Sequence, residues 1–326
     1  MHLLILGGTA FVGRHLTQQA LQRGWEVTLF NRGQTNPDLF PNVGRLVGDR
    51  LAGDLASLQS GTWDACIDTC GYIPRVVRQA GEVLRDRVGH YQFVSTISVY
   101  RDFSSKSLDE DSAVGRIEDP TIEVINGETY GPLKVLCEQE TWAHWDDRAV
   151  IVRPGLIVGP DDRTDRFTYW PVRMASEDRV LVPDTLEQPS QMIDVRDLCA
   201  FMLDLTERQA RGTFNATGPQ VPWQLGEVFS TVREAVGSSA QLVPASADFL
   251  VKHEVQPWSD LPLWLPEDSW GTCRVDVSRA LQAGLKLRPL SQTAADTLAW
   301  WKSLSPSRDL KAGLSRAREL ELLASL

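Results

Sequence analysis

No two cysteines in this 326-residue chain are spaced as CxxC, and no two histidines as HxxH or HxxxH. No run of lysine and arginine is dense enough to form a basic patch. The five cysteines, Cys66, Cys70, Cys137, Cys199 and Cys273, are odd in number. They fit a reducing compartment better than a disulfide framework. Scattered histidines at 2, 15, 90, 144 and 253 put no pair of ligands on one helix face, so no metal site is expected. With 33 basic against 43 acidic residues the formal charge is −10, a field that repels nucleic-acid backbones and anionic membranes. The opening apolar run, HLLIL, has no basic flank and no cleavage site. It is far too short for a signal peptide or a span, so the expectation is a cytoplasmic protein that does not enter a membrane. Repeats of solenoid period and low-complexity linkers are also missing.

The 42% hydrophobic and 23% charged composition is that of a globular chain. Its first half alternates β-rich runs with amphipathic stretches: HLLIL, EVTLF, GRLVGD, DACIDT, HYQFVST and AVIVRPG read as strands. FVGRHLTQQALQRG and RVVRQAGEVLRDRVG between them read as helices, the first stopping at Gly24. Such alternation predicts an α/β fold, a doubly wound parallel sheet with helices on both faces. After about residue 155 the rhythm breaks into irregular stretches, as expected for a smaller substrate lobe interleaved with the last strands. The expected division is a nucleotide-binding domain over 1–156, completed by about 190–218, with a second lobe from 157–189 and 219–326. Ser315 is placed to cap a last amphipathic helix, which would pack on the body or on a second subunit as a homodimer.

LLILGGTAFVGRHL places Gly7, Gly8 and Gly13 straight after a strand and into a helix. That context separates a dinucleotide loop from a chance glycine turn. Gly7 permits the tight turn and Gly13 a close helix-to-sheet approach. The pyrophosphate would rest on the backbone at Thr9, Ala10, Phe11 and Val12, where the helix N-terminus concentrates positive charge. The residue that selects the cofactor lies about 20 positions on, at the end of the second strand. Asn31 and Arg32 stand there, with no carboxylate for the ribose hydroxyls of NAD and a guanidinium for a 2′-phosphate. NADP is expected ahead of NAD. A solvated Arg32, with Asn31 serving NAD, is the competing reading.

YGPLK, residues 130–134, puts Tyr130 and Lys134 one helical turn apart, so both can face one cleft. Pro132 lacks an N–H and is comfortable only in a first turn, which locates the helix start at Tyr130. That position and the Lys134 ammonium are expected to favour the phenolate, bringing Tyr130 toward the range where it exchanges a proton at neutral pH.

Together the GGTxFxG loop, Asp49 in VGDR, IDTCGY, FVSTISVY, Tyr130xxxLys134, RPGLIVGPDD, QMIDVRDL and FNATG cover most of the chain. In these the sequence resembles the extended short-chain dehydrogenase/reductase superfamily, in its NAD(P)-dependent epimerase/dehydratase-like branch. The resemblance implies a Rossmann-type fold, a nicotinamide cofactor and a catalytic set of Thr96, Tyr130 and Lys134. Lys134 would also reach the nicotinamide ribose. Asp49 with Arg50 would lie by the adenine, and Cys70 with Gly71 along the cofactor. Ser95 and Ser98 are fallback hydroxyls for the substrate. Ala10 replaces the middle glycine of the family loop. The segment between Thr96 and Tyr130 is long and acidic, and is expected to be a surface excursion near the site entrance, a lid. Sugar dehydratases of this branch carry an Asp-Glu pair after the threonine; Ile97 and Ser98 stand there, which argues against that elimination.

Nine of the eleven tryptophans lie after residue 140, and Trp258, Trp264 and Trp270 recur among Pro257, Pro262 and Pro266. Pinning irregular loops to the body is the favoured reading for them, ahead of lining a pocket. Arg166 is a weak candidate for an anionic substrate group. The expected activity is hydride transfer to or from a small hydroxyl or carbonyl compound, with a nucleotide sugar as the leading substrate. A reductase of a phenolic or isoflavone-like ketone is the nearby alternative. From another class, chloroplast stem-loop RNA-binding proteins share the GGTxFxG start, which leaves a non-catalytic nucleotide- or RNA-binding role to be tested against the acidic charge.

Overall fold

Each of the six runs read as strands is a strand in the computed structural model, which describes all residues except 105–106, 177 and 305–307. They are β1 (His2–Leu6), β2 (Glu26–Asn31), β3 (Gly44–Val47), β4 (Trp63–Asp68), β5 (Val88–Val94) and β6 (Ala149–Pro154). A seventh strand, Gly212–Ala216, pairs with β6. Across the sheet the order is Gly212–Ala216, β6, β5, β4, β1, β2, β3, with every pair parallel. The expected doubly wound Rossmann arrangement is therefore present. Its order reverses between β1 and β4, and in such sheets ligands bind beyond the strand C-termini at that reversal.

β1 shows why the pattern is legible. Leu3, Leu4, Ile5 and Leu6 are all fully buried, because a central parallel strand is covered on both faces and does not alternate with polar residues. Leu3 and Ile5 pack with Leu16 and Ala20 of α1 (Phe11–Gln22) and with Leu198 and Phe201 of the Val195–Glu207 helix. Leu4 and Leu6 face the other layer, with Val77 and Leu84 of α2 (Pro74–Leu84) and Trp145 of α3 (Tyr130–Trp145). Each such leucine contributes about 1.5–3 kcal/mol by leaving water. Gly24, at φ +74, ends α1 in a conformation that side chains rarely adopt.

The second lobe has its own core of Phe167, Trp170, Val180, Phe229, Leu250, Trp264 and Leu322. Its tryptophans pin irregular chain: the Trp170 indole donates to the Pro262 carbonyl at 2.8 Å, and that of Trp270 to the Leu265 carbonyl at 3.2 Å. Ser315 does cap the last helix, Arg316–Ser325, accepting the Arg318 N–H, and the helix packs on the body with Leu322 and Leu323 buried.

The long segment between Thr96 and Tyr130 is only partly a surface excursion. Leu108 is buried and exchanges backbone hydrogen bonds with Arg274 (3.1 Å) and Asp276 (2.7 Å) of the second lobe. Its later part is exposed, at Val124 and Ile125 above all. Ser105 and Lys106 lie outside the described residues. Among the described residues no helix is long and apolar enough to cross a membrane, and no group of three or more His, Cys, Asp or Glu could hold a metal ion.

Candidate active site

At the end of β1 the chain turns through Gly7 (φ +113) and Gly8 (φ +96). A Cβ on Gly7 would lie 2.4 Å from the Thr69 hydroxyl, and one on Gly13 only 2.6 Å from the Gly8 nitrogen. The first turn of α1 thus rests on the backbone of the loop, the close approach expected of Gly13. Ala10 is the N-cap and supplies no side-chain cap, so the helix N–H groups are left for a ligand.

Beyond β2 the structure separates the expected contacts. Arg32 is exposed at the rim. Asn31 works on the protein itself: its amide donates to the Gly7 carbonyl at 2.9 Å and its carbonyl accepts the Gly33 N–H at 2.9 Å, tying the end of β2 to the glycine loop. Asp49, half-buried, accepts the Leu51 N–H at 3.0 Å. The Arg50 guanidinium turns inward, with Nη1 and Nη2 donating to the Asp68 carboxylate at 2.7 and 2.8 Å. Burial opposes ionisation of Asp68, but Arg50, the Cys70 N–H and the Tyr91 hydroxyl outweigh it and hold the carboxyl below the usual range. Arg50 is therefore a pillar under the site, and its charge is spent on Asp68. The Cys70 thiol touches the same guanidinium at 3.3 Å and is pushed up by burial, which makes it a poor nucleophile. Gly71 is buried, and a Cβ there would meet Phe93 at 2.7 Å and Val77 at 2.8 Å.

Thr96, at the end of β5, opens a short turn and accepts the Ser98 N–H at 3.1 Å; its hydroxyl donates to that of Ser98, also at 3.1 Å. Tyr130 is the first residue of α3, after Thr129 as N-cap, so Pro132 does sit in the first turn. Gly131 brings the two segments together: a Cβ on it would stand 2.0 Å from the Ser98 carbonyl oxygen. Only glycine lets the helix start abut the Thr96 turn. Lys134, one turn on, is 3% exposed and donates to the carbonyls of Gly71 (2.8 Å) and Val94 (2.6 Å). Its ammonium has a third donor to give.

The expected electrostatics are corrected here. Burial dominates at Tyr130 and raises its pKa, with the neighbouring Thr96 hydroxyl a partial offset. Lys134 is itself lowered to about 8 by burial, and two of its ammonium donors are taken by carbonyls. At neutral pH Tyr130 is a phenol, a proton donor. Ser95 is also unavailable as a fallback: its hydroxyl donates to Glu138 at 2.5 Å. The Glu138 carboxylate is gripped by Arg153 through Nη2 (2.6 Å) and Nε (2.9 Å), a buried pair that locks α3 to the ends of β5 and β6. Ser98 stays half-buried beside Thr96. Arg166, in the second lobe, lies with its guanidinium 5.3 Å from the Trp258 ring centre.

A cavity of about 670 Å³ opens over the glycine loop and the ends of β1, β2 and β4. Gly7 to Gly13, Asn31, Arg32, Asp49, Arg50 and Cys70 all border it, so most of the expected cofactor positions share one space. Thr96, Tyr130 and Lys134 are not among the residues that border it; Lys134 is linked to its wall through the Gly71 carbonyl, between the bordering Cys70 and Tyr72. The other wall is made of Glu123 and Ile125, from the excursion expected near the site entrance, and of Asp162, Arg163 and Thr164. The last three follow RPGLIVGP, where the resemblance implies substrate contacts, but the cavity they line borders the glycine loop. The sequence did not single out Glu123, Ile125 or Thr164 individually. These carry no spacing signal, because they reach the cavity by folding from distant parts of the chain.

Residues 3–62 match the model of the NAD dependent epimerase/dehydratase family, which bears out the resemblance read from the sequence over the loop and first strands. The chain is 27% identical over 240 residues to the chloroplast stem-loop binding protein of 41 kDa b from Arabidopsis thaliana, covering 66% of this chain and 58% of that protein. It thus spans less than two thirds of that relative. Among solved structures it shares its fold with UDP-glucuronic acid 4-epimerase from Bacillus cereus in complex with NAD, at TM-score 0.68 and 16% identity over 96% of this chain and all of the other. A human epimerase family protein with NADPH is similar at TM-score 0.61 and 20% identity, over 93% of this chain and 100% of the other.

Proposed function

We propose that this chain, whose phosphate loop and first strands match the NAD dependent epimerase/dehydratase family, is a nicotinamide-dependent oxidoreductase or epimerase of the extended short-chain type. The observation that supports the reading is the glycine-loop cavity itself, together with Tyr130 beside the Thr96 hydroxyl and Lys134 tied to the cavity wall through the Gly71 carbonyl. A dinucleotide suits that cavity: an uncapped helix start faces the phosphates, and its volume is within the range of small-molecule sites. When bound, the nicotinamide supplies or accepts the hydride. The chain's own residues handle the proton. Thr96 holds the substrate oxygen, and Tyr130, kept as a phenol, donates to a carbonyl oxygen as it gains charge. Lys134, anchored on two carbonyls, directs its remaining donor toward the bound ribose. Removing hydride from a carbinol also frees its hydroxyl proton, so that half needs Tyr130 as the phenolate to take the proton up. Returning hydride to the opposite face, with the proton given back, would be epimerisation; returning none would be oxidation.

A nucleotide sugar is the proposed substrate, supported by the fold shared with the Bacillus cereus UDP-glucuronic acid 4-epimerase. NADP is proposed ahead of NAD because Arg32 is exposed at the cavity rim and no carboxylate replaces it at the end of β2. Tyr130→Phe is expected to bind NADPH with unchanged affinity and to lose at least about 10²-fold in turnover. A panel of UDP-sugars and aryl ketones identifies the substrate, and turnover undiminished in Tyr130→Phe removes that residue from its role. Arg32→Ala should weaken NADPH and spare NADH; tighter NADH than NADPH binding by the unaltered chain overturns the NADP assignment.

The Arabidopsis relative supports a second reading, stem-loop RNA binding on the same fold. A net charge of −10 opposes it. Filter binding at two salt concentrations separates them: tight RNA binding with a steep salt slope displaces the enzyme reading.

A further inference from the structure

We infer that the loop from Pro160 to Thr164 is a clamp from the second lobe onto the pyrophosphate of the dinucleotide, with Arg163 as its cation; this rests on the dinucleotide reading above. Three observations carry it. The loop is anchored to the helix whose N-terminus forms the phosphate loop: the Asp161 carboxylate takes Arg14 Nη1 at 2.6 Å and stands 3.3 Å from His15 Nε2, which also reaches the Pro160 carbonyl at 3.0 Å. Arg14 and His15 are in the first turns of α1, so the anchor holds the loop over the end of the helix where its positive charge gathers. Within the loop, Asp161 adopts φ +70 and Asp162 turns inward, 1% exposed, with its carboxylate taking the N–H (2.8 Å) and hydroxyl (2.9 Å) of Thr164. That leaves Arg163 outside.

Arg163 is exposed, borders the cavity together with Gly7 to Gly13, and has no hydrogen-bond or ion-pair partner among the described residues. The loop's two carboxylates are both engaged elsewhere, so the charge Arg163 presents to the cavity is not neutralised by its neighbours. A guanidinium over a helix N-terminus makes a two-sided phosphate site, with backbone N–H groups below and a forked cation above. It also couples cofactor binding to the lobe that carries the substrate.

The pyrophosphate is common to NADPH and NADH and missing from adenosine 2′-monophosphate. Arg163→Ala should therefore weaken NADPH and NADH alike by about tenfold, leaving their ratio unchanged, while 2′-AMP binds as before. Arg163→Lys should recover part of the loss. Asp161→Asn, which leaves Arg163 in place but loosens its anchor, should weaken both dinucleotides by a smaller factor. Titration calorimetry reads all three ligands. Loss confined to NADPH would place Arg163 on the 2′-phosphate and overturn the clamp, as would unchanged affinity for both dinucleotides. Failure of the unaltered chain to bind either dinucleotide would defeat the reading beneath it, an outcome distinct from the other two.

Discussion

Replacing Gly131 by alanine pits two effects of opposite sign against each other. Inside a helix alanine is favoured over glycine by about 1 kcal/mol, and an open site would show that gain. At position 131 the new Cβ would lie 2.0 Å from the Ser98 carbonyl oxygen. The two backbones would have to part by about 1.5 Å to restore the ~3.5 Å of an ordinary nonbonded contact. Neither side yields readily: Ser98 is held by Thr96 through its N–H, and α3 by the buried Glu138–Arg153 pair. Overpacking of this kind costs about 1–3 kcal/mol and here has backbone, not a rotamer, to move. With the propensity gain subtracted, the net loss is roughly 2 kcal/mol at the upper end. For a chain this long that is a fall of about 3 °C in Tm. Gly127→Ala is the control, since a Cβ there has nothing within 4 Å. Thermal unfolding of both variants, followed by circular dichroism, decides the matter. A Gly131→Ala protein as stable as the control would refute the claim that Gly131 sets the approach of Tyr130 to Thr96. NADPH affinity is expected to survive, because the glycine loop is untouched.

Other expectations follow from the buried charges. Arg50→Met leaves the Asp68 carboxylate without its cation and should cost about 3–5 kcal/mol by urea unfolding at pH 7. Since the folded pKa of Asp68 is depressed, the stability it lends is present above the unfolded value near ~3.9 and is lost as pH falls through the folded one, so the gap between the two proteins should narrow below pH ~4. Lys134 behaves in the opposite sense. Its folded pKa of about 8 lies below the unfolded ~10.4, so as pH rises between them the folded state sheds the proton first and burial of the lysine becomes less costly. Lys134→Met also leaves the Gly71 and Val94 carbonyls without their donor, so the pH trend is the readout. Relative to the unaltered chain the variant should lose stability as pH rises from 7 to ~10; a difference independent of pH would contradict the burial argument. Truncating Trp264 to alanine, buried in the second-lobe core, should cost about 3–5 kcal/mol, against less than 1 kcal/mol for the exposed Val221→Ala.

Much of this protein is decided by local pattern. Leu3 to Leu6 announce a central parallel strand because two-sided burial removes polar alternation; Gly7, Gly8 and Gly13 announce the loop because only glycine meets its dihedral angles and its approach to α1. Pro132 marks the start of α3 for the same kind of reason, a missing N–H that only a first turn tolerates. What tertiary structure alone settled is how charges are spent. Arg32 and Arg50 both follow strands that end at the cavity, yet Arg50 is buried on Asp68 of β4 and Arg32 reaches the rim, a difference set by which side chain the carboxylate of another strand meets. Tyr130 and Lys134 are one turn apart as expected, but burial and the carbonyls of Gly71 and Val94 decide their protonation, and those come from other strands. The second-lobe wall at Asp162 to Thr164 borders the glycine-loop cavity from a distant part of the chain, a placement that only the folded structure makes. Dihedral preferences and hydrophobic periodicity are written residue by residue, whereas desolvation and pairing depend on neighbours that the folded chain brings from far away.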